Sequence, residues 1–204
     1  MRELIVVAHP DDEVLGCGGT IQRMNNPYVF FMGAGRPGER NKNMGRIQKV
    51  SQVLGYEYVC YAHEDNLMDR VALKQLAIEV GDIIHEVKPD IVYTHYEHDL
   101  NQDHRAVYQA VMIAARPGKS SVRAIYSFEV LSSTNWVFST TFTPDLFVDL
   151  STEQWSTKVD AMEIYDSEID ASRDARATRI LAEYRGLQCG CAMAEAFKTV
   201  RRFE

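Results

Sequence analysis

Apolar residues in the first half of the chain follow two alternating patterns. Leu4–Ala8, Tyr28–Met32 (YVFFM), Tyr58–Tyr61 (YVCY) and Ile91–Thr94 (IVYT) are short continuous runs rich in β-branched and aromatic residues, as expected of strands buried on both faces. Between them the spacing changes to three or four. Met44, Ile47, Val50 and Leu54 form one helical stripe, closed by Gly55 where a C-cap glycine belongs. Leu73, Leu76, Val80, Ile83, Ile84 and Val87 form another, stopped ahead of Pro89. This alternation predicts an α/β, Rossmann-like, mainly parallel sheet with helices on both faces. Further along, Arg105–Ala115 and Arg173–Leu187 read as helical, and Ala124–Val130 and Leu146–Leu150 as strands. Ser151 with Gln154 predicts a capping box for a helix reaching to about Glu168. No linker, repeat or low-complexity tract divides the 204 residues, so one domain over 1–204 is expected.

Composition narrows the partners. Twenty-nine acidic residues against 22 Lys and Arg give a net charge of −7, which argues against nucleic acid and anionic membrane, both of which select a basic face. No apolar run approaches the ~18 residues of a membrane span. Leu4–Ala8 is too short for the apolar region of a signal peptide. Four cysteines without CxxC spacing are not a disulfide framework, so a reduced, cytoplasmic setting is expected.

In parallel sheets ligands bind beyond the carboxyl ends of the strands. The four segments that follow the first strands, 9–13, 33–42, 63–70 and 95–104, hold five of the six histidines: His9, His63, His95, His98 and His104. They also hold ten acidic residues against four basic ones. Imidazole and carboxylate together suit zinc and related cations, so a metal site is expected at the strand ends. His9 and Asp12 lie three apart across a tight turn, and His104 is the natural third ligand. Three protein ligands and an open position form a catalytic arrangement, whereas structural zinc sites are closed by four. Asp11, between two ligands, can stay off the metal and accept a proton, and Asp103 can orient an imidazole. Taken alone, the acids of 11–13 could serve the helix dipole, Asp103 could be an N-cap and His104 a surface residue. Convergence of two histidine-bearing loops outweighs that reading. Iron(II) is the other ion that two histidines and a carboxylate accept.

A dinucleotide site fails on register, because Gly16 and Gly18 would require glycine where Ile21 stands. Glycines 16, 18 and 19 are instead expected to let a helix start pack closely. Arg36, Glu39 and Arg40, and Asp65, Asn66, Asp69 and Arg70, are candidates for binding sugar hydroxyls, with Arg36 or Arg40 able to meet an anionic group. Trp136 and Phe138 are expected in the core rather than stacked on a sugar, and Cys189 and Cys191 as small buried residues.

The segment AHPDDEVLGCGGTI at 8–21 resembles the first signature of the PIG-L/LmbE-type zinc-dependent N-deacetylases. DLNQDHR at 99–105 is similar to the family's second motif, and EVLSSTNW at 129–136 and AEAF at 194–197 also resemble family sequence. The resemblance implies a Rossmann-like fold and removal of an N-acetyl group from an amino sugar or sugar-containing metabolite. It implies one zinc ion on His9, Asp12 and His104, with Asp11 as general base. Two departures stand out. Many members carry a histidine, acting as acid or oxyanion stabiliser, where this chain has Asn101. An amide cannot act as a general acid near neutral pH, so His98 or His95 is expected to supply the proton, with Asn101 the alternative as hydrogen-bond donor. The family's Arg-x-x-Glu is replaced by Asn43 and Arg46. The expected partner is a small N-acetylated sugar derivative; a homo-oligomer stays open. Competing readings are hydrolysis of another amide or ester, and a non-catalytic metal- or carbohydrate-binding module, which Asn101 keeps alive.

Overall fold

The computed structural model describes residues 1–165 and 169–203. Seven strands form one sheet in the order β3-β2-β1-β4-β5-β7-β6. Strands β1 (Glu3–Val7), β2 (Tyr28–Gly33), β3 (Glu57–His63), β4 (Ile91–Thr94) and β5 (Ala124–Phe128) are parallel. β7 (Ala194–Arg202) runs antiparallel between β5 and β6 (Leu146–Asp149). The mainly parallel α/β fold expected from the alternating pattern is therefore present. The strand at 194–202 was not anticipated; its KTVRR half is only partly buried and carries three basic residues.

Strand β1 explains its own unbroken apolar run. Side chains alternate across a strand, so both sets must be apolar when both faces are covered. Ile5 and Val7 enter the core under α1 (Asp12–Ile21), α2 (Arg40–Leu54) and α5 (Thr152–Ile164), while Leu4 and Val6 enter the core under α3 (Leu73–Val87) and α4 (Gln102–Ala114). Both helical stripes point inward: Ile47, Val50 and Leu54 of α2, and Leu76, Val80, Ile83, Ile84 and Val87 of α3, are buried. Gly55 adopts the left-handed conformation (φ 75°) and its N–H closes α2 on the Ser51 carbonyl. The Ser151–Gln154 capping box is formed in both directions; the far end of the helix read there falls at 166–168, outside the described residues. Helix α6 (Ala175–Cys189) packs beside β6 and β7. Cys189, at its end, is exposed and Cys191 half-buried, which corrects the expectation of two buried thiols. Among the described residues no helix is long and apolar enough to cross a membrane.

The chain moves outward from β1 to β3, then returns to lay β4 on the other side of β1. Segments leaving β1 and β4 diverge to opposite faces, α1 to one and α4 to the other, and open a crevice at the carboxyl end of the sheet. Helix α1 enters this crevice with a kink at Cys17 (φ −150°, ψ 22°). Gly16, just before it, lies against Phe128; a Cβ there would stand 2.3 Å from the ring. A buried ion pair fills the kink. Lys158 Nζ donates to Glu195 Oε1 (2.6 Å) and to the Leu15 carbonyl (3.0 Å), while Glu195 accepts from the Gly19 and Thr20 amides (2.9 and 2.7 Å) and the Thr20 hydroxyl (2.6 Å). The pair takes up polar backbone groups that a broken helix would otherwise leave unpaired in the core.

Removing one partner of a buried pair strands the other charge. Glu195→Gln should therefore lower the free energy of urea unfolding by about 3–5 kcal/mol. A loss below about 1 kcal/mol would show that the pair does not hold the kink.

Candidate active site

The turn between β1 and α1 carries three acids, of which Asp11 and Asp12 line the crevice and Glu13 lies behind them. Asp11, with φ 112°, occupies a backbone region that L-residues rarely adopt and that costs about 1–3 kcal/mol. Glu13 holds it there: its Oε2 accepts the Asp11 N–H (3.1 Å), while Oε1 accepts the hydroxyls of Tyr56 (3.0 Å) and Tyr165 (2.9 Å). Burial pushes the Glu13 carboxyl up to about 7, against the pull of the two tyrosines. Asp12 begins α1, and its Oδ2 accepts the His9 N–H (2.8 Å).

The crevice's other wall comes from the β4–α4 connection. Asn101 caps α4, its side chain accepting the Asp103 N–H (2.8 Å), so Asn101 and not Asp103 is the cap. This puts Asp103 and His104 in the first turn, both buried and directed at the β1 turn. His104 Nε2 lies 3.3 Å from Asp12 Oδ1, and its Nδ1 lies 3.2 Å from Asp99. His9 Nε2 is 2.9 Å from Asp103 and 3.1 Å from Asp65, with Nδ1 3.6 Å from Asp12. Asp103 also accepts the Asn66 and Met68 amides (2.7 and 3.0 Å). Asp99, which the sequence did not mark out, accepts from the hydroxyls of Ser133 and Thr134 and from the Asn101 N–H.

Two groups of side chains bring ligand-type atoms within 4.8 Å of one another: His9, Asp12 and His104, and His9, Asp65 and Asp103. Charge in the first group is strongly polarised. Burial alone would lower both imidazoles, yet the Asp103 and Asp65 carboxylates raise His9 to about 10, and Asp12 and Asp99 raise His104 to about 9. Burial would raise Asp12, but the charge of His104 and its hydrogen bond hold it well below the usual carboxylate range. Asp11 moves the opposite way, pushed up by burial and by the neighbouring Asp12 charge, with only Arg173 and His9 opposing. Such a carboxylate crowd calls for positive charge at the point where His9, Asp12 and His104 meet, and their donor set is one that zinc-type cations accept.

These residues floor a cleft of about 500 Å³. Its walls include Arg36, Asn43, Asp65, Asn66, Asn101, Ser133, Trp136 and Arg173. Gly35 (φ 85°) lets the backbone pass the Asn43 amide, which a Cβ would meet at 2.2 Å. Arg46 donates to Asn43 (3.0 Å) from beneath. Arg40 and Asp69 are not among the lining residues; Asp69 accepts from Gln102 instead (3.3 Å). Trp136 is 47% exposed at the rim and Phe138 96% exposed, so neither belongs to the core as expected.

Neither histidine expected to supply the acid reaches the cleft. His95 is fully buried below His104, stacked on it at 3.8 Å, and its Nε2 accepts the Ala8 N–H (2.9 Å). Burial, followed by the His104 charge, drops it to about 3, so it is neutral. His98 faces Tyr96 and Glu97, outside the cleft lining. His63 pairs with Glu79 of α3 (2.6 Å). Arg173, read from sequence only as the start of a helical segment, does line the cleft, with Nη1 3.4 Å from Asp11 Oδ2.

The family described as PIG-L, GlcNAc-PI de-N-acetylase, matches residues 4–115. "Uncharacterized deacetylase YaiS" of Escherichia coli is 28% identical over 178 residues, covering 80% of this chain and 90% of that one. "Probable N-acetyl-alpha-D-glucosaminyl L-malate deacetylase 2" of Bacillus cereus is 25% identical over 188 residues, covering 82% and 84%. Among solved structures, the N,N'-diacetylchitobiose deacetylase of Pyrococcus horikoshii superposes with a TM-score of 0.78 at 19% identity, covering 98% of this chain and 84% of that one. GalB, the 4-carboxy-2-hydroxymuconate hydratase of Pseudomonas putida, gives 0.77 at 21% identity, covering 100% and 98%. At these identities the structural likenesses establish the fold alone.

Glu13 is the prop of this turn, and its tyrosine partners can be removed without touching the cleft. Tyr56→Phe and Tyr165→Phe should each lower the free energy of guanidinium unfolding by about 1–3 kcal/mol. Unchanged stability in both would mean that Glu13 does not depend on them.

Proposed function

The chain belongs to the PIG-L, GlcNAc-PI de-N-acetylase, family, and from that premise we propose that it is a metal-dependent hydrolase removing the acetyl group from an N-acetylated sugar or sugar-containing metabolite. The observation that carries the reading is the meeting of His9, Asp12 and His104 beside a strained, buried Asp11 at the floor of a polar cleft. The hydratase on the same fold means that architecture does not select the chemistry. Family membership and the two sequence relatives named as deacetylases favour amide hydrolysis.

His9, Asp12 and His104 would hold the ion, with zinc the proposed metal and iron(II) the other candidate for this donor set. Asp103 supports His9 in that role: with Nε2–H donated to Asp103, the Nδ1 lone pair is left facing Asp12. Asp99 lies 3.2 Å from His104 Nδ1, without the hydrogen bond that Asp103 makes to His9, and Nε2 is left toward Asp12. Asp103 has already accepted two backbone amides, which suits it to orienting a ligand rather than being one. With zinc held there, the site would have a water of lowered pKa and a Lewis acid for the acyl oxygen. Asp11 takes the proton of the attacking water. With His95 neutral below the floor and His98 outside the cleft, Asp11 also returns that proton to the amine nitrogen as the C–N bond breaks. Asp65, Asn66 and Arg36 line the cleft where sugar hydroxyls would be bound.

Purified protein should release acetate from at least one member of a panel of N-acetylhexosamine derivatives, and chelation should abolish release. Asp11→Asn should retain metal and lose about 10²–10⁴-fold in kcat; full activity would remove Asp11 as base. His104→Ala should lose stoichiometric metal, and an unchanged metal content would take His104 out of the ligand set.

A further inference from the structure

Three arginines line the cleft among the described residues, and they are spent differently. Arg105 donates to the carbonyl oxygens of Asp99 and Leu100 (2.5 and 2.6 Å). Arg36 is largely exposed, 3.9 Å from Asp65. Arg173 is mostly buried, yet its side chain donates no hydrogen bond to any described residue. Its Nε is buried without a partner, and Nη1 approaches Asp11 only to 3.4 Å. A guanidinium carries five N–H donors in a rigid fork, and leaving them unpaired in a desolvated place is costly. Its natural complement is an oxyanion or carboxylate taken by two parallel N–H bonds.

The position of Arg173 says which anion. It stands over Asp11, next to the reacting atoms, whereas Arg36 stands nearer the mouth. An anionic substituent elsewhere on the substrate would lie away from Arg173. Negative charge that forms at the acyl group would lie beside it. Resting on the deacetylase reading above, we infer that Arg173 is a catalytic residue that stabilises the negative acyl oxygen during hydrolysis and then holds the acetate product.

The step balances without another reagent. Water oxygen adds to the acyl carbon while its proton passes to Asp11, and the carbonyl π pair moves to the acyl oxygen, where Arg173 meets it. That pair re-forms the double bond as the C–N bond breaks with its electrons going to nitrogen. Nitrogen takes the proton from Asp11, the second proton of the water follows to the amine, and the products are the ammonium form of the amine and acetate. Arg173 stays protonated throughout, so it contributes charge and geometry rather than a proton. This assigns to a residue far along the chain the positive group that neither His95 nor His98 provides.

Metal-loaded Arg173→Met and Arg173→Lys test the inference by steady-state kinetics and by calorimetric titration with acetate. Arg173→Met should lose about 10²–10³-fold in kcat with KM within about threefold, and bind acetate at least about tenfold more weakly; Arg173→Lys should recover part of both. Metal content and thermal midpoint should match the parent, and should Arg173→Met not fold, Arg173→Gln is read in the same way. Unchanged acetate affinity, or a raised KM with kcat intact, overturns the inference and makes Arg173 a substrate-binding residue or a mere partner of Asp11. Failure of the parent protein to release acetate from any N-acetyl substrate would instead defeat the deacetylase reading, and the acetate titration would still decide the role of Arg173.

Discussion

Everything at the carboxyl end of this sheet depends on burying Asp11, Asp12, Glu13, Asp99 and Asp103 within one small volume. An isolated buried carboxylate costs several kcal/mol, and neighbours of like charge raise that further. The structure meets the constraint by giving four of them dedicated donors. Glu13 has two tyrosines and a backbone amide, Asp103 has two amides and an imidazole, Asp99 has two hydroxyls and an amide, and Asp12 has an amide among three imidazoles. Asp11 alone accepts no side-chain hydrogen bond from any described residue and keeps only the long contact with Arg173. The carboxylate with the least support is the one with the most strained backbone, and it faces the cleft. Strain and incomplete pairing at one member of a well-satisfied cluster are what the proposed role of Asp11 as base requires.

The supports come from all over the chain, and this is what the fold accomplishes. β1 is covered on both faces, so polar chemistry is excluded along its length and appears where it ends. The return of β4 beside β1 adds His104, Asp99 and Asp103 from the opposite face. At the kink in α1 Gly16 settles against Phe128 while the Lys158–Glu195 pair satisfies the backbone at the break. The AEAF segment that resembled family sequence is thus explained by Glu195: it repairs a helix that carries Asp12.

Much of this was legible in the sequence, for physical reasons. Runs such as Leu4–Ala8 stand out because both faces are buried, and helical stripes because one face is. The meeting of His9, Asp12 and His104 was readable from their positions after β1 and β4, since ligands gather at the carboxyl ends of parallel strands. What escaped depended on contacts that spacing does not encode. β7 hid because its second half is partly exposed and basic. Asp99 gains its meaning from Ser133 and Thr134, and Glu13 from Tyr165, all distant in sequence. His95 and His98 look alike on paper, yet one points under the floor and the other away, because His95 directly follows β4 and stays buried while His98 lies three residues on in an exposed turn. Arg173 reaches Asp11 from the other end of the chain, and a lone arginine before a helix carries no local sign of that.

The central claim is that the buried acids and imidazoles are arranged around one cation with an open position. Anomalous diffraction at the zinc absorption edge, from crystals of the protein grown with zinc, tests it most directly. A single peak about 2.0–2.2 Å from one atom each of His9, Asp12 and His104, with no fourth protein ligand, is the expected result. A peak among His9, Asp65 and Asp103, or no peak in the cleft at all, would contradict it.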